Sequence, residues 1–181
     1  MSTRDDVLKS STTGRWLRRL AWCALLGGVW GAGCDSGGSE AGEEGTPLEE
    51  ACEHMAEGPF VNVQATLDAA SAPPANLAHT AMKVQLVESG GMYEGYVSFP
   101  AAMAAETVFF LGAGVPFAVS DSQGAPLSVE SSDTAITACS EVAAAHTFDL
   151  TIGTWWLRLG PTAEPSVQLV VEAAGAAHAH E

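Results

Sequence analysis

From about residue 80 onward, short runs of the chain alternate apolar and polar residues, as strands do when one face lies in a core. Polar turns such as Asp121-Ser-Gln-Gly124 and glycine pairs separate these runs. Short strands with a turn about every 8–12 residues predict an all-β fold, as an antiparallel sandwich or barrel. The alternating positions are Met82, Val84 and Leu86; Val115, Phe117 and Val119; Leu127 and Val129; His146, Phe148 and Leu150; Trp155, Leu157 and Leu159; and Val167, Leu169 and Val171.

Two stretches have helical character. Residues 48–55 predict a short helix, with glutamates near its N-terminus, where the helix dipole favours them. Residues 100–106 are rich in alanine and predict a second, shorter helix. Two denser apolar runs, residues 96–99 and 108–111, predict strands that are buried on both faces.

The N-terminus has the three parts of a secretory signal peptide. Residues 1–20 form a basic leader, residues 21–30 are apolar, and small residues follow at 31–33. The apolar run is shorter than the roughly 20 residues of a membrane-spanning helix. The sequence therefore predicts export from the cytoplasm rather than a permanent transmembrane segment.

A cysteine comes directly after the small residues Gly31-Ala32-Gly33. This segment resembles the lipobox of bacterial lipoproteins, in which the cysteine is acylated and becomes the new N-terminus. The resemblance implies cleavage after Gly33 and a lipid on Cys34, although Gly31 stands where the family usually has Leu. An ordinary secretory signal, which would leave Cys34 as a free thiol, is the alternative. As a lipoprotein, the chain is expected outside the cytoplasm, lipid-anchored to a membrane of the cell envelope on its periplasmic or outer-surface face.

Composition divides the rest of the chain into a tether, a domain and a tail. Residues 34–48 are rich in Gly, Ser and Glu and predict a flexible, acidic linker after the lipidated cysteine. The predicted organisation is a signal peptide (1–33), the lipidated cysteine and linker (34–48), a β-sandwich domain (49–173) and a flexible C-terminal tail (174–181).

The charge distribution narrows the choice of partners. The formal net charge is −15, and five of the seven Lys and Arg residues lie before residue 20. Beyond Cys34 only Lys83 and Arg158 remain, and such an acidic surface repels the phosphates of nucleic acids. It also repels anionic lipid head groups, so we expect attachment to the membrane through the lipid and not through charge.

The remaining cysteines predict a disulfide. Cys23 lies in the apolar run and leaves with the signal peptide, whereas Cys52 and Cys139 form an even pair in an oxidising compartment. A metal site with two thiolate ligands is the alternative. Neither cysteine belongs to a C-x-x-C motif, so the sequence favours the disulfide.

Three stretches near the C-terminus are similar to bacterial pre-peptidase C-terminal domains. They are residues 115–124, which end in a D-x-x-G turn, residues 148–159, which contain Gly153-Thr-Trp-Trp-Leu-Arg158, and residues 166–171. The resemblance covers about the last third of the chain. It implies a jelly-roll-like sandwich without catalysis of its own.

The sequence contains no motif for catalysis. It has no G-x-S-x-G elbow, no H-E-x-x-H and no phosphate-binding loop, and its carboxylates are scattered in turns and in the linker. We therefore predict that the protein is not an enzyme and needs no cofactor.

The histidines supply the candidates for metal binding. His178 and His180 are two residues apart, so in an extended tail their imidazoles lie on one side and suit Zn²⁺ or Cu²⁺. His79 or His146 could join them, and a frayed tail with incidental histidines is the alternative. His54 is interpreted as a neighbour of the disulfide, and His146 as a hydrogen-bonded core or edge residue.

The run that contains Trp155 and Trp156 supplies a candidate binding surface. Neighbouring residues in a strand face opposite sides, so one tryptophan points outward beside Arg158 and can stack on a sugar or a protein side chain. Burial of both tryptophans is the alternative. We therefore expect a non-enzymatic binding or structural module, anchored to the membrane, with a protein or glycan partner. A periplasmic metal-binding lipoprotein that uses its histidines is the alternative function.

Overall fold

The computed structural model describes residues 45–174, which form one α-helix and ten β-strands. The predicted all-β class is therefore confirmed. The helix is α1 (Pro47–Glu57), and a 3₁₀ turn spans Ala69–Ser71. The strands are β1 (Phe60–Gln64), β2 (Ala81–Gln85), β3 (Val87–Ser89), β4 (Met92–Ala101), β5 (Ala105–Leu111), β6 (Phe117–Ser120), β7 (Ser131–Asp133), β8 (Ala144–Leu150), β9 (Gly153–Thr162) and β10 (Ser166–Ala173).

The strands form two sheets that pack face to face. The six-stranded sheet has the order β1-β2-β10-β5-β8-β7, and the four-stranded sheet has the order β3-β4-β9-β6. Neighbouring strands are antiparallel, except for the parallel pair β1 and β2. Within the described residues the chain crosses from one sheet to the other six times, after β2, β4, β5, β6, β8 and β9, as in jelly-roll sandwiches. The architecture is thus the sandwich and not the barrel.

The main core lies between the two sheets and centres on Phe109. This side chain is fully buried, and its ring lies 5.5–5.9 Å from the rings of Phe99, Phe117 and Phe148. Aromatic pairs at such distances add to the free energy gained by burial. The alternation in the sequence is confirmed here, because the alternating apolar residues of β9 and β10 all contribute to this core.

Local sequence explains where α1 begins and ends. The hydroxyl of Thr46 accepts a hydrogen bond from the backbone N–H of Glu49, whose carboxylate accepts one from the backbone N–H of Thr46. Gly58 ends the helix with a φ of 86°, and its N–H donates to the carbonyl of His54 over 2.9 Å. A Cβ at position 58 would lie 2.9 Å from the ring of Phe60, so only glycine fits there.

One face of α1 packs on the outer side of the six-stranded sheet. Ala51 and Met55 are buried there in a second, smaller core, together with Ala81, Phe110 and Val170 of the sheet. Both faces of this sheet are therefore covered in its centre. Helix α1 packs mainly on β10, β2 and β5 of this sheet, and the 3₁₀ turn contacts β4 of the four-stranded sheet.

The disulfide between Cys52 and Cys139 ties α1 to the segment between β7 and β8, as predicted. The two Cα atoms lie 6.1 Å apart, and 87 residues separate the cysteines in sequence. The disulfide closes a loop of this length in the unfolded chain and so lowers the entropy of that chain. In the chain-entropy model this stabilises the folded state by about 4–5 kcal/mol. A covalent bond thus links α1 to the segment between β7 and β8, in addition to the packing of α1 on the sheet.

Two elements differ from those predicted by the sequence. The helix expected over residues 48–55 is confirmed, but the one expected over residues 100–106 is wrong. These residues end β4 and begin β5, which pair with β9 and β8, so sheet pairing overrides the helix propensity of alanine. Residues 127–129 lie in a loop, and β7 is the strand that follows.

Glu50 is an unfavourable residue on the buried face of α1. Only 3% of its surface is exposed, and neither carboxylate oxygen has a hydrogen-bond partner in the described part of the chain. A buried polar group without a partner costs about 1–3 kcal/mol, and a charged one costs more. The docking of α1 is therefore weaker than its apolar contacts suggest.

Replacing Glu50 with methionine should stabilise the protein. Methionine has a similar length and adapts to irregular gaps, so the change removes the unpartnered carboxylate without overfilling the site. We expect Glu50→Met to raise the free energy of unfolding by about 1–3 kcal/mol, measured by urea denaturation without added metal. Glu53→Met, on the exposed face of the same helix, is the control and should change this free energy by less than about 0.5 kcal/mol. A loss of stability in Glu50→Met would mean that the carboxylate stabilises the helix instead.

Candidate metal centre

Two histidines and a glutamate meet beside α1. His54 comes from the last turn of α1, His79 from the loop that leads into β2, and Glu172 from the end of β10. Each residue offers one ligand atom, and the three atoms lie within 4.8 Å of one another. Three separate elements thus present nitrogen and oxygen donors to one point, which is what a transition-metal site requires.

The imidazole of His54 is held by its own helix end. The side chain is buried, and Nδ1 lies 3.3 Å from the carbonyl oxygen of Gly58. The tautomer that donates from Nδ1 to this carbonyl keeps the lone pair on Nε2. That nitrogen is buried and has no hydrogen-bond partner among residues 45–174. Metal-binding histidines commonly donate from one ring nitrogen to a carbonyl and bind the metal through the other, and His54 has this arrangement.

His79 approaches His54 from a strained turn. Its φ of 50° is the one positive φ of a non-glycine residue in the described chain. The centroids of the two imidazole rings lie 5.5 Å apart. Thr80 supports the turn by donating from its hydroxyl to the carbonyl of Ala78 over 2.9 Å. Backbone strain of this kind costs about 1–3 kcal/mol and clusters at functional sites, which is consistent with a function for His79.

Glu172 lies on the outer side of β10, near α1. Only 4% of its surface is exposed. Pairing of β10 with β5 fixes the position of Glu172 opposite Val108, whereas the pairing of β10 with β2 ends at Leu169. A buried carboxylate requires a compensating charge or hydrogen bonds. The two histidines of the cluster are placed to compensate it, either directly or through a shared metal ion.

An apolar cavity of about 180 Å³ adjoins the cluster. It lies where β4 turns into β5, and Phe99, Met103 and Val171 are among the residues that line it. Glu172 and Ala78 also line this cavity. A cavity of roughly 150 Å³ lined by apolar side chains can hold a benzene molecule. The space next to the cluster is therefore large enough for a small apolar group.

His146 lies elsewhere, on the inner side of β8. Its ring stacks on Phe117 with 5.4 Å between centroids, and Nδ1 lies 2.9 Å from the hydroxyl oxygen of Ser132. Burial lowers the pKa of His146 below the ordinary value of 6.5, because the charged form loses solvation. These contacts agree with its interpretation as a hydrogen-bonded core residue, and it does not join the cluster.

Several predicted sites lie outside the described residues. Cys34, the predicted site of lipid attachment, is one of them, and so are His178 and His180, the predicted metal ligands of the tail. The lipid anchor and the tail histidines therefore stay predictions. Within residues 45–174, no helix is long and apolar enough to cross a membrane.

The predicted binding surface on β9 is divided between the two faces of the strand. Trp155 packs half-buried against the main core, and its indole N–H donates to the carbonyl of Thr151 over 3.0 Å. Trp156 is half-buried on the opposite face, and the exposed Arg158 forms an ion pair with Glu94 at 2.7 Å. A partner on the outer face would thus meet Trp156 and Arg158, and this role stays a prediction.

The sequence identifies only part of the cluster. His79 is a candidate ligand in the sequence, but His54 is interpreted as a neighbour of the disulfide and Glu172 is not singled out. The three residues are 25 and 93 positions apart, so no local motif contains them. Glu172 also occupies a polar position of an alternating strand, where a glutamate is ordinary. Neither a protein-family model nor a curated protein matches the chain.

The lowered pKa of His146 predicts a pH dependence of stability. The unfolded chain takes up a proton on this side chain near pH 6.5 and the folded protein only at a lower pH, so stability is lost as the pH falls through 6.5. His146→Gln removes this contribution. Measured by urea denaturation between about pH 7.5 and 5.5, the free energy of unfolding should fall more steeply for the wild type than for the variant. Equal slopes would contradict the lowered pKa.

Proposed function

We propose that this protein is a lipid-anchored, extracytoplasmic metal-binding protein without catalytic activity. Its ligand is a divalent transition-metal ion held by His54, His79 and Glu172. One observation carries the proposal: three donor atoms from separate elements lie within 4.8 Å of one another, and one of the residues is a buried histidine whose Nε2 has no hydrogen-bond partner in the described chain. An oriented set of donors with an unused buried nitrogen is expected of a metal site.

The chemistry of the donors favours Zn²⁺. Two imidazoles and one carboxylate match the zinc sites that have three protein ligands and one open position, and imidazole also suits Cu²⁺. Mg²⁺ and Ca²⁺ prefer oxygen ligands, so two nitrogen donors disfavour them. Ligand atoms around a tetrahedral zinc lie about 3.4 Å apart, so the donors need to approach by at most about 1.4 Å. Small side-chain rotations are sufficient for a movement of that size.

The charge of the domain supports the capture of a cation. Residues 45–174 contain 15 Asp and Glu residues, but only two Lys and Arg residues, Lys83 and Arg158. Arg158 is engaged in its ion pair with Glu94. The summed field of such a domain raises the local concentration of cations. The acidic composition therefore favours metal uptake in addition to solubility.

The N-terminal sequence and the disulfide support a location outside the cytoplasm. The basic leader, the short apolar run and the small residues before Cys34 have the layout of an exported lipoprotein. A disulfide between Cys52 and Cys139 is typical of an oxidising compartment. Together they favour a metal-binding domain that is tethered to the cell envelope.

The purified protein should bind one zinc ion per chain. We expect native mass spectrometry to report this ion and titration calorimetry to report its affinity. His54→Ala, His79→Ala and Glu172→Gln each remove one ligand. Each should weaken binding by more than the roughly 10–100-fold that loss of an outer-shell partner costs. Ca²⁺ and Mg²⁺ should not compete for the site.

Two controls separate the cluster from the other histidines. His146→Ala removes a histidine outside the cluster and should leave the affinity unchanged. A double variant, His178→Ala with His180→Ala, tests the tail: if it abolishes binding while the three cluster variants retain it, the tail is the site and the proposal is wrong. A wild-type protein that binds neither zinc nor copper would show that the cluster is a hydrogen-bonded network.

The lipid anchor has a direct test of its own. The protein extracted from membranes should begin at an acylated Cys34, which mass spectrometry of the N-terminal peptide detects. Cys34→Ser cannot be acylated at this position, and we expect cell fractionation to find it released from the membrane. Zinc binding should persist, since Cys34 is not a proposed ligand. Membrane retention of a mature Cys34→Ser chain would contradict the anchor without affecting the metal site.

A further inference from the structure

Helix α1 carries both a proposed metal ligand and one half of the disulfide. Cys52 and His54 lie two residues apart in this helix, and Cys139 belongs to the segment between β7 and β8. The other two residues of the cluster, His79 and Glu172, come from the loop before β2 and from β10. Of the three proposed ligands, His54 is therefore the one that the disulfide holds in place.

The noncovalent attachment of α1 is weak for a helix on a sheet. Its buried residues are Glu50, Ala51, His54 and Met55. Two of them are ionisable, and both oxygens of Glu50 and Nε2 of His54 have no hydrogen-bond partner in the described range. Ala51 and Met55 are thus the buried apolar residues of α1. A helix of 11 residues is also marginal by itself in water, so we expect α1 to undock when the disulfide is broken.

The other two ligands are held independently of the disulfide. Glu172 lies in the part of β10 that pairs with β5, and residues 166–169 of the same strand pair with β2. His79 is separated from β2 by one residue, Thr80. The inner faces of these strands contribute to the main core. Loss of the disulfide is therefore expected to move His54 away from two ligands that keep their places.

We propose that the Cys52–Cys139 disulfide controls the affinity of the cluster for its metal, an inference that rests on the proposed function. A dithiol reductant of the cell envelope supplies two electrons and two protons: the S–S bond breaks, both cysteines become thiols, and the reductant becomes a disulfide. Helix α1 then leaves the sheet, and the metal loses His54. Oxidation reverses these steps. The site holds its metal in the oxidised protein and releases it on reduction.

The free thiols do not take the place of His54. Residues two apart on a helix do not face each other, so the side chain of Cys52 points away from the position at which His54 meets the other two ligands. Cys139 belongs to a segment on which none of the three ligands lies. Reduction therefore removes a ligand without supplying a new one.

Thermodynamics requires this coupling to act in both directions. The affinity for metal and the equilibrium between disulfide and thiols belong to one cycle. If reduction weakens metal binding by a given factor, then saturating metal makes the disulfide harder to reduce by the same factor. Two independent measurements on the same protein must therefore agree.

The experiment measures both sides of the cycle. The zinc affinity is determined by competition with a chromophoric chelator for the disulfide-bonded protein and for the Cys52→Ser, Cys139→Ser double variant. We expect binding to be weakened in the variant about as much as in His54→Ala, by more than roughly 10–100-fold. The equilibrium of the wild-type disulfide with glutathione is measured without zinc and at a free zinc concentration that saturates both redox forms, and it should shift towards the disulfide by the same factor. In His54→Ala, the control, zinc should not affect this equilibrium.

Each result either supports or overturns the switch. Equal zinc affinities of the disulfide-bonded protein and the double variant would overturn it and leave the proposed metal site intact. Tighter binding by the reduced wild-type protein would also overturn it and make the thiols ligands. Failure of the disulfide-bonded protein to bind zinc would remove the proposed function itself. Circular dichroism of the reduced protein should retain the β-sheet signal, because a switch confined to α1 is wrong if reduction unfolds the sandwich.

Discussion

The attachment of α1 to the outer face of the six-stranded sheet is the constraint on which the candidate site depends. The core between the sheets closes around Phe109 without any contribution from this helix. Helix α1 covers part of the outer face of the six-stranded sheet and contributes the imidazole of His54. Because the helix buries Glu50 without a hydrogen-bond partner, packing holds it weakly, and the disulfide at Cys52 compensates for this. The core of the sandwich therefore does not depend on α1 or on the candidate site.

The three proposed ligands are held by three different interactions. The ladder between β10 and β5 fixes Glu172, a strained turn orients His79, and the carbonyl of Gly58 orients His54. Each of these interactions limits the movement of a donor atom before a metal binds. Donors that are already in place lose little conformational entropy on binding, which is why preorganised sites bind their ions tightly.

Charge and compartment agree with this arrangement. An acidic domain attracts cations and is repelled by anionic membranes, so a lipid on Cys34 and a metal site in the domain would serve complementary needs. An oxidising compartment, as proposed from the N-terminal sequence, would also keep the disulfide closed. The apolar cavity that Glu172 lines shows that the surroundings of the cluster are not uniformly polar.

The all-β class, the helix before the first strand and the disulfide could be predicted from the sequence, because alternation, glutamates near a helix N-terminus and an even pair of cysteines are local or compositional signals. The other features depend on contacts between distant segments. Residues 100–106 became strand ends, since pairing partners far along the chain outweigh the propensity of alanine. The cluster of His54, His79 and Glu172 arose only when α1 covered a strand face that the pattern marks as polar. Such a site depends on which distant elements pack together, and no local stretch of sequence determines that packing.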